Sequence, residues 1–227
     1  MSPPPRDAVW RALETVRDPE LDEPITALEF VSSCTVSEDG VASVRLRLPT
    51  FFCAPNFTWL MVADAHDAVA AVPGVTRADI VLEEHFVAEV INRGVAARSG
   101  FATAFGSQAR AELDELRREF LGKAALAGQE RVARPLVDAG RTPAELAATR
   151  LGDLPPSRDA ERLRARRAEA GLPAGDDAPL LLHPDGQPVS AAQVPLHLRR
   201  ARLTAVSIEA NGGTCRDLLA KRYAGSG

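Results

Sequence analysis

A cysteine at the junction of two predicted elements is the residue of this chain best placed for chemistry. Cys53 lies in the stretch LPTFFCAPNF, after a strand-like run that ends at Pro49 and before a helix-like run that begins at Pro55. At a helix start, the partial positive charge and the free backbone N–H groups favour a thiolate, which binds metals and attacks electrophiles. The alternative is a small apolar residue packed under Phe51 and Phe52. The position alone leaves both interpretations open.

Two carboxylates flank a proline earlier in the chain. Asp18 and Glu20 stand on either side of Pro19, directly after the first predicted helix. Two carboxylates in this arrangement are able to bind iron or to orient a thiol. The alternative is a helix stop with solvated acidic side chains, because the residue before a proline disfavours the helical conformation.

The other cysteines and the histidines are weaker candidates. Cys34 falls on a predicted strand, which indicates a core position, and Cys215 is either a second helix-start cysteine or a buried small residue. His66 and His85 are candidate metal ligands, and surface histidines are the alternative interpretation. The three cysteines are far apart in the sequence and lack the spacing of a zinc site.

Hydrophobic periodicity predicts the elements that position these residues. In order they are a helix, two strands of a hairpin, a helix, a strand and a helix, over residues 6–17, 27–36, 41–48, 55–72, 76–82 and 87–98. Asp39 and Gly40 supply the turn chemistry of the hairpin. This order predicts a small α+β domain in which helices pack against a short mixed sheet.

The composition changes after about residue 106. Residues 1–106 carry 8 Arg and no Lys against 15 Asp and Glu, a net charge of −7, whereas the remainder carries +3. We therefore predict a domain over 1–106 and a mostly helical extension over 107–227, of unknown role and available for docking a partner. Within the extension we expect a helical hairpin over 108–139 broken at Gly128, and two short helices around a strand over 194–223.

Composition and motifs exclude several classes of function. The net charge of −4 argues against a general nucleic-acid or membrane-surface binder. No run approaches the roughly 18 apolar residues that a membrane span needs, and the sequence has no phosphate loop, dinucleotide fingerprint or G-x-S-x-G motif. Three cysteines, an odd number, and an N-terminus without an apolar core predict a reducing cytoplasm.

Taken in order, these motifs resemble the metal–sulfur cluster assembly family, which includes SufT-like and PaaD-like proteins. The resemblance covers about residues 6–106. It rests on the D-P-E tripeptide, a hydrophobic run at Ile25, Leu28 and Val31, a cysteine that opens a helix, and the VPGV motif at 72–75. It implies a small α+β fold and an accessory role in the maturation of iron–sulfur or other iron centres, without metabolic catalysis.

The resemblance also implies site residues. By position, Cys53 matches the functional cysteine, Asp18 and Glu20 match the acidic motif, and Thr50 matches a hydroxyl residue upstream of the cysteine. The cargo would be transient iron or an iron–sulfur cluster. We expect no zinc, because the terminal cysteines of PaaD-like members are absent.

Three hypotheses follow. In the first, Cys53 presents iron or a cluster to a client metalloprotein or an iron–sulfur scaffold; a bacterial di-iron monooxygenase is one conceivable client. In the second, the chain is a chaperone-like adaptor that binds a client enzyme, and Cys53 is structural. The third, a thiol enzyme, lacks a neighbouring histidine in the sequence, although His66 or His85 could supply one in space. We assign no catalytic residue and leave a homodimer open.

Overall fold

The structure is a computed structural model that describes residues 4–98 and 109–224. The chain forms two compact units. The first contains Met1–Glu115 together with Asn211–Gly227, and the second contains Leu116–Ala210. The predicted division between residues 106 and 107 lies outside the described residues and stays a prediction.

The first unit has the predicted order of helices and strands. Its elements are α1 (Arg6–Leu13), β1 (Val31–Val36), β2 (Val41–Leu46), α2 (Pro55–Ala70), β3 (Arg77–Leu82) and α3 (Ala88–Ala96). β1 pairs with β2 in antiparallel orientation and β2 pairs with β3 in parallel, so that the sheet has the order β1-β2-β3 and is mixed. The predicted α+β class with a short mixed sheet and a helical C-terminal region is confirmed.

The sheet buries one face against the helices. Along β2, Ala42, Val44 and Leu46 are buried and alternate with partly exposed residues. This period of two is typical of a sheet with one covered face. Val9 and Leu13 of α1 belong to the same core.

The hairpin turn depends on a glycine. Gly40 has φ +83°, a left-handed conformation that side chains with a Cβ rarely adopt. A Cβ at this position would also lie 2.7 Å from the carbonyl oxygen of Gly74, in the turn that precedes β3. The predicted Asp39–Gly40 turn is therefore confirmed, and it packs closely against the turn that precedes β3.

Two of the helices in the second part of the chain are longer than the sequence suggested. They are α4 (Ala109–Asp138), α5 (Pro143–Ala148), α6 (Arg158–Glu169) and α7 (Val194–Tyr223). The break predicted at Gly128 is wrong, since α4 continues through it. A Cβ at Gly128 would lie 3.2 Å from Leu163 Cδ1, so this glycine lets α6 approach closely. The prediction of two short helices around a strand over 194–223 is also wrong, because one helix spans the segment.

The second unit has a polar network inside its core. The side-chain amide of Gln129 donates to the Leu182 carbonyl at 3.2 Å and accepts from the Leu182 N–H at 2.8 Å. The ring nitrogen Nε2 of His197 donates to the same amide oxygen at 3.0 Å. Burial, with smaller contributions from neighbouring cationic groups, lowers the pKa of His197 to about 4. The imidazole is therefore neutral at physiological pH.

We expect the second unit to lose stability between pH 6.5 and pH 4 because of His197. The pKa of this group is lower in the folded state than the ordinary value of 6.5, so its stabilising contribution is complete above pH 6.5 and is lost as the pH falls through about 4. The loss amounts to about 3 kcal/mol. Urea unfolding of wild type and His197→Asn across this range measures it. An identical pH dependence in both proteins would contradict the assignment.

Candidate functional site

Cys53 lies in the loop between β2 and α2, one residue before the N-cap of the helix. The N-cap is Ala54 and the first helical residue is Pro55. The Cys53 sulfur lies 3.3 Å from Thr50 Oγ1, within hydrogen-bond distance. The cysteine is half-buried and packs against the core of the first unit. The structure thus brings two of the predicted site residues together and leaves the Cys53 residue partly exposed.

The loop after β3 fixes the backbone of the Cys53 loop. Nε2 of His85 donates to the Cys53 carbonyl at 2.8 Å, and Nδ1 of the same ring accepts from the Val87 N–H at 3.4 Å. This pattern defines a neutral imidazole, and burial lowers the pKa of His85 accordingly. His85 therefore contacts the backbone of the cysteine, and a thiol–imidazole pair is not formed there. The interpretation of His66 and His85 as surface histidines is wrong, because both are buried.

Three phenylalanines form an exposed cluster beside the cysteine. Phe51, Phe52 and Phe86 are 44%, 76% and 47% exposed. Their ring centroids lie 5.1 to 6.3 Å apart, so the rings contact one another across the two loops. Below we call these residues the phenylalanine cluster. An apolar patch of this kind next to a thiol is typical of a surface that meets another protein.

The D-P-E tripeptide forms a tight acidic loop. Asp18 is 8% exposed, and its Oδ1 accepts hydrogen bonds from the N–H groups of Glu20 at 2.9 Å and Leu21 at 2.8 Å. Burial raises the pKa of Asp18 to about 6, against the opposing effect of these two N–H donors. The alternative of two solvated acids at a helix stop is therefore wrong for Asp18. Glu20 is half-buried.

The last part of α7 contacts both loops of the first unit. Nδ2 of Asn211 donates to Glu20 Oε1 at 3.2 Å. Further along the helix, the Arg222 guanidinium donates to the carbonyls of Leu48 at 3.1 Å and Glu84 at 2.6 Å. Residues of the predicted extension are thus part of the unit that holds Cys53.

Cys215 lies between these two anchoring contacts. It is half-buried inside α7, so the prediction of a second helix-start cysteine is wrong. Burial, with smaller contributions from Asp18, Cys53 and Glu20, raises the pKa of its thiol to about 11. Cys215, which sequence reasoning ranked low, therefore lies on the part of α7 that contacts the acidic loop at Glu20 and the Cys53 loop at Leu48. The four-residue spacing of Asn211, Cys215 and Leu219 was the signal that could have placed it on this face.

Two features are absent from the part of the chain that the structure describes. Within 4–98 and 109–224, no group of three or more His, Cys, Asp or Glu side chains is arranged to hold a metal ion. None of the helices in these ranges is long and apolar enough to cross a membrane.

Comparison with known proteins gives one match. Residues 6–80 match the family model described as an iron–sulfur cluster assembly protein. No curated protein and no solved structure matches the chain. The matched residues include Asp18, Glu20 and Cys53 and end within β3. This match, over about a third of the chain, confirms the resemblance drawn from the motifs within residues 6–80 and supports a role in iron–sulfur cluster assembly.

Proposed function

We propose that this chain is an accessory factor that binds iron or an iron–sulfur cluster as cargo through Cys53 and delivers it to a client metalloprotein. The family match supports the general role. The observation that carries the finer proposal is the position of the thiol, half-buried in a loop beside the exposed phenylalanine cluster. A thiol at this position is able to bind the cargo, and the client would contact the neighbouring phenylalanine cluster.

The residues around Cys53 hold the thiol for ligand exchange. The hydrogen bond between Thr50 Oγ1 and the Cys53 sulfur restrains the side chain, and His85 restrains the carbonyl of the same residue. Thiolates are the ligands that iron–sulfur clusters prefer. Carboxylate oxygens suit Fe²⁺, and we propose Asp18 and Glu20 as ligands that join only during transfer, since the described residues contain no preformed group of three or more such side chains. Cargo transfer then requires a change of ligands, and no bond to carbon is made or broken.

The phenylalanine cluster is the proposed contact with the client. Aromatic side chains are enriched at the centres of protein interfaces, where they contribute most of the binding energy. A di-iron monooxygenase is one client class compatible with such cargo, and an iron–sulfur scaffold is another partner. We place this activity in the cytoplasm, where the three free thiols of the chain would stay reduced.

Anaerobic reconstitution with Fe²⁺ and sulfide tests the proposal. After desalting, wild type is expected to retain iron and sulfide, and Cys53→Ser to retain at least about tenfold less, because the thiolate ligand is gone. The matched control is Cys34→Ala, which removes a buried thiol from the core of the first unit. Equal loading of wild type and Cys53→Ser would refute the proposed handling of cargo.

A second candidate function is a chaperone-like adaptor with a structural Cys53. The exposure of all three residues of the phenylalanine cluster favours it, since this patch alone could bind a client. The adaptor hypothesis predicts that Cys53→Ala matures the client normally and that native Cys53 resists alkylation. Rapid alkylation together with loss of maturation in Cys53→Ala would exclude the adaptor.

A further inference from the structure

One side of β3 pairs with β2, and the other side is an edge of the sheet. In a parallel pair, the backbone groups of successive residues point to opposite sides of the strand. The N–H of Glu83 donates to the Leu46 carbonyl at 2.8 Å, so Glu83 faces β2 and Leu82 faces the edge. Ala78 lies four residues before Leu82 in the same strand. Its N–H and C=O groups therefore face the edge as well.

A side chain of α3 covers this edge at Leu82 in the way that a neighbouring strand would. Oδ1 of Asn92 accepts from the Leu82 N–H at 2.8 Å, and Nδ2 donates to the Leu82 carbonyl at 3.0 Å. At Ala78, neither backbone group has a hydrogen-bond partner among residues 4–98 and 109–224. Unpaired backbone groups on a sheet edge are a template for another chain. The beginning of β3 is therefore open to pairing.

A groove extends from this open edge along α2. Its wider part, of about 530 Å³, lies beside Ala78 at the start of β3 and reaches the end of α2. Its narrower part, of about 300 Å³, lies between α2 and α3. His66 and Arg98 line both parts. Below we call it the β3 groove, with walls that include Trp59, His66, Ala70, Ala78, Val95 and Arg98.

The β3 groove is separate from the proposed cargo site. β2 and β3 are parallel, so the Cys53 loop after β2 and the loop after β3 lie at the same end of the sheet. His85, in the loop after β3, contacts the Cys53 carbonyl at that end. The open part of the edge, at Ala78, belongs to the start of β3. The groove therefore lies at the opposite end of the strand from Cys53.

Two polar side chains of the groove have bonding capacity left. His66 is 9% exposed, and its Nδ1 lies 3.2 Å from Asp67 Oδ1, whereas its Nε2 has no partner among the described residues. With Nδ1 donating to the carboxylate, Nε2 is an acceptor. The side chain of Arg98 is exposed and makes no ion pair within the same part of the chain. The groove thus offers an acceptor and a cation beside the backbone groups of Ala78.

We propose that the β3 groove binds an extended segment of a partner protein that carries an acidic side chain. The main chain of such a segment supplies the N–H and C=O groups that pair with Ala78, as when a strand is added to a sheet edge. Its carboxylate pairs with Arg98, since Arg77 and Asp79 flank Ala78 and offset each other in charge. A small anion alone would leave the backbone groups of Ala78 unpaired. This surface is additional to the phenylalanine cluster and its proposed contact with a client.

Panning a phage-displayed library of random dodecapeptides on the full chain tests the inference. We expect the enriched peptides to contain Asp or Glu. One of them is then synthesised with a fluorophore and titrated with the variants by fluorescence polarisation. Arg98→Glu should weaken its binding at least about tenfold, because a like charge replaces the paired cation. Arg93→Glu, the same change at an exposed position of α3 outside the groove, should bind like wild type.

Two further measurements test the pairing with the backbone. Ala78→Pro removes the N–H at an edge position where proline is tolerated, and it should weaken peptide binding at least about fivefold. In the unmodified chain, the peptide should slow the hydrogen exchange of the Ala78 amide. Failure to enrich acidic peptides, unchanged affinity in Arg98→Glu, or unchanged exchange at Ala78 would overturn the inference. Self-association that Arg98→Glu abolishes would also overturn it, because a second copy would then occupy the groove. Iron loading through Cys53 is measured separately and does not depend on these results.

Discussion

Arg167→Ala is expected to lower the free energy of unfolding of the second unit by about 3–5 kcal/mol. Arg167 has no exposed surface, and its guanidinium donates to the carbonyls of Pro179, at 2.7 Å, and of Leu180. Burial lowers the pKa of this guanidinium to about 10, so it is still charged at neutral pH. The alanine variant leaves a cavity, and it leaves the buried carbonyl of Leu180 and the half-buried carbonyl of Pro179 without their donor; both effects destabilise the unit. Urea unfolding at pH 7 measures the loss.

Two further variants make this test specific. Arg167→Lys keeps the charge but not the planar fork of donors, so it should recover part of the stability. Arg158→Ala, at the exposed start of the same helix, should change stability by less than about 0.5 kcal/mol. A loss below about 1 kcal/mol in Arg167→Ala would show that the carbonyls find other donors.

Removing two rings of the phenylalanine cluster is expected to uncouple cargo binding from delivery. In Phe52→Ala/Phe86→Ala, client maturation should fall about 30-fold or more, since truncating one interface hot spot costs at least about 2 kcal/mol. Iron loading of the purified chain should stay at the wild-type level, because neither ring is a ligand. Maturation is measured by complementing a strain that lacks this chain and assaying its iron–sulfur enzymes.

A control variant in the second unit tests whether the loss of any exposed apolar side chain has the same effect. Leu203 is 67% exposed, comparable to Phe52, and lies outside the first unit. Leu203→Ala should mature the client at the wild-type rate. The docking role of the cluster would be contradicted by normal maturation in the double variant. It would equally be contradicted by a matching loss in Leu203→Ala.

Local periodicity was sufficient to predict the α+β part of the chain. The strand β2 alternates cleanly along its length, with Ala42, Val44 and Leu46 on the buried face, and the Asp39–Gly40 turn that precedes it has the residues of a hairpin turn. These signals lie within a few residues of one another, so the sequence carries them directly.

The long helices could not be predicted in the same way. A glycine inside a helix costs about 1 kcal/mol relative to alanine, which favours a break when only local terms are considered. Within the long helices, Leu163 packs closely against Gly128, and Glu23 lies close to Gly212. A larger side chain at either position would crowd these neighbours. These are tertiary contacts, and they become visible only when the partner residue is known.

The candidate site was predicted only in part, because some of its contacts join residues that are far apart in the sequence. Thr50 and Cys53 are three residues apart, and the structure places the hydroxyl against the sulfur. The functional roles of these residues, and of Asp18 and Glu20, remain predictions. His85 and Cys215 were ranked low, because His85 reaches Cys53 across 32 residues and the contacts of α7 with the acidic loop span 191 residues.

This separation has a consequence for how the protein folds. The contact between Asn211 and Glu20 joins residues 191 positions apart, and closing so long a loop is entropically costly and slow. During synthesis, the three-stranded sheet and the Cys53 loop leave the ribosome long before residues 211–223. The segment over residues 6–80 is therefore able to fold first, and the last part of α7 packs onto it only in a late step of folding. A nascent chain would thus complete the core of the first unit, to which Leu219 belongs, only when it is nearly finished.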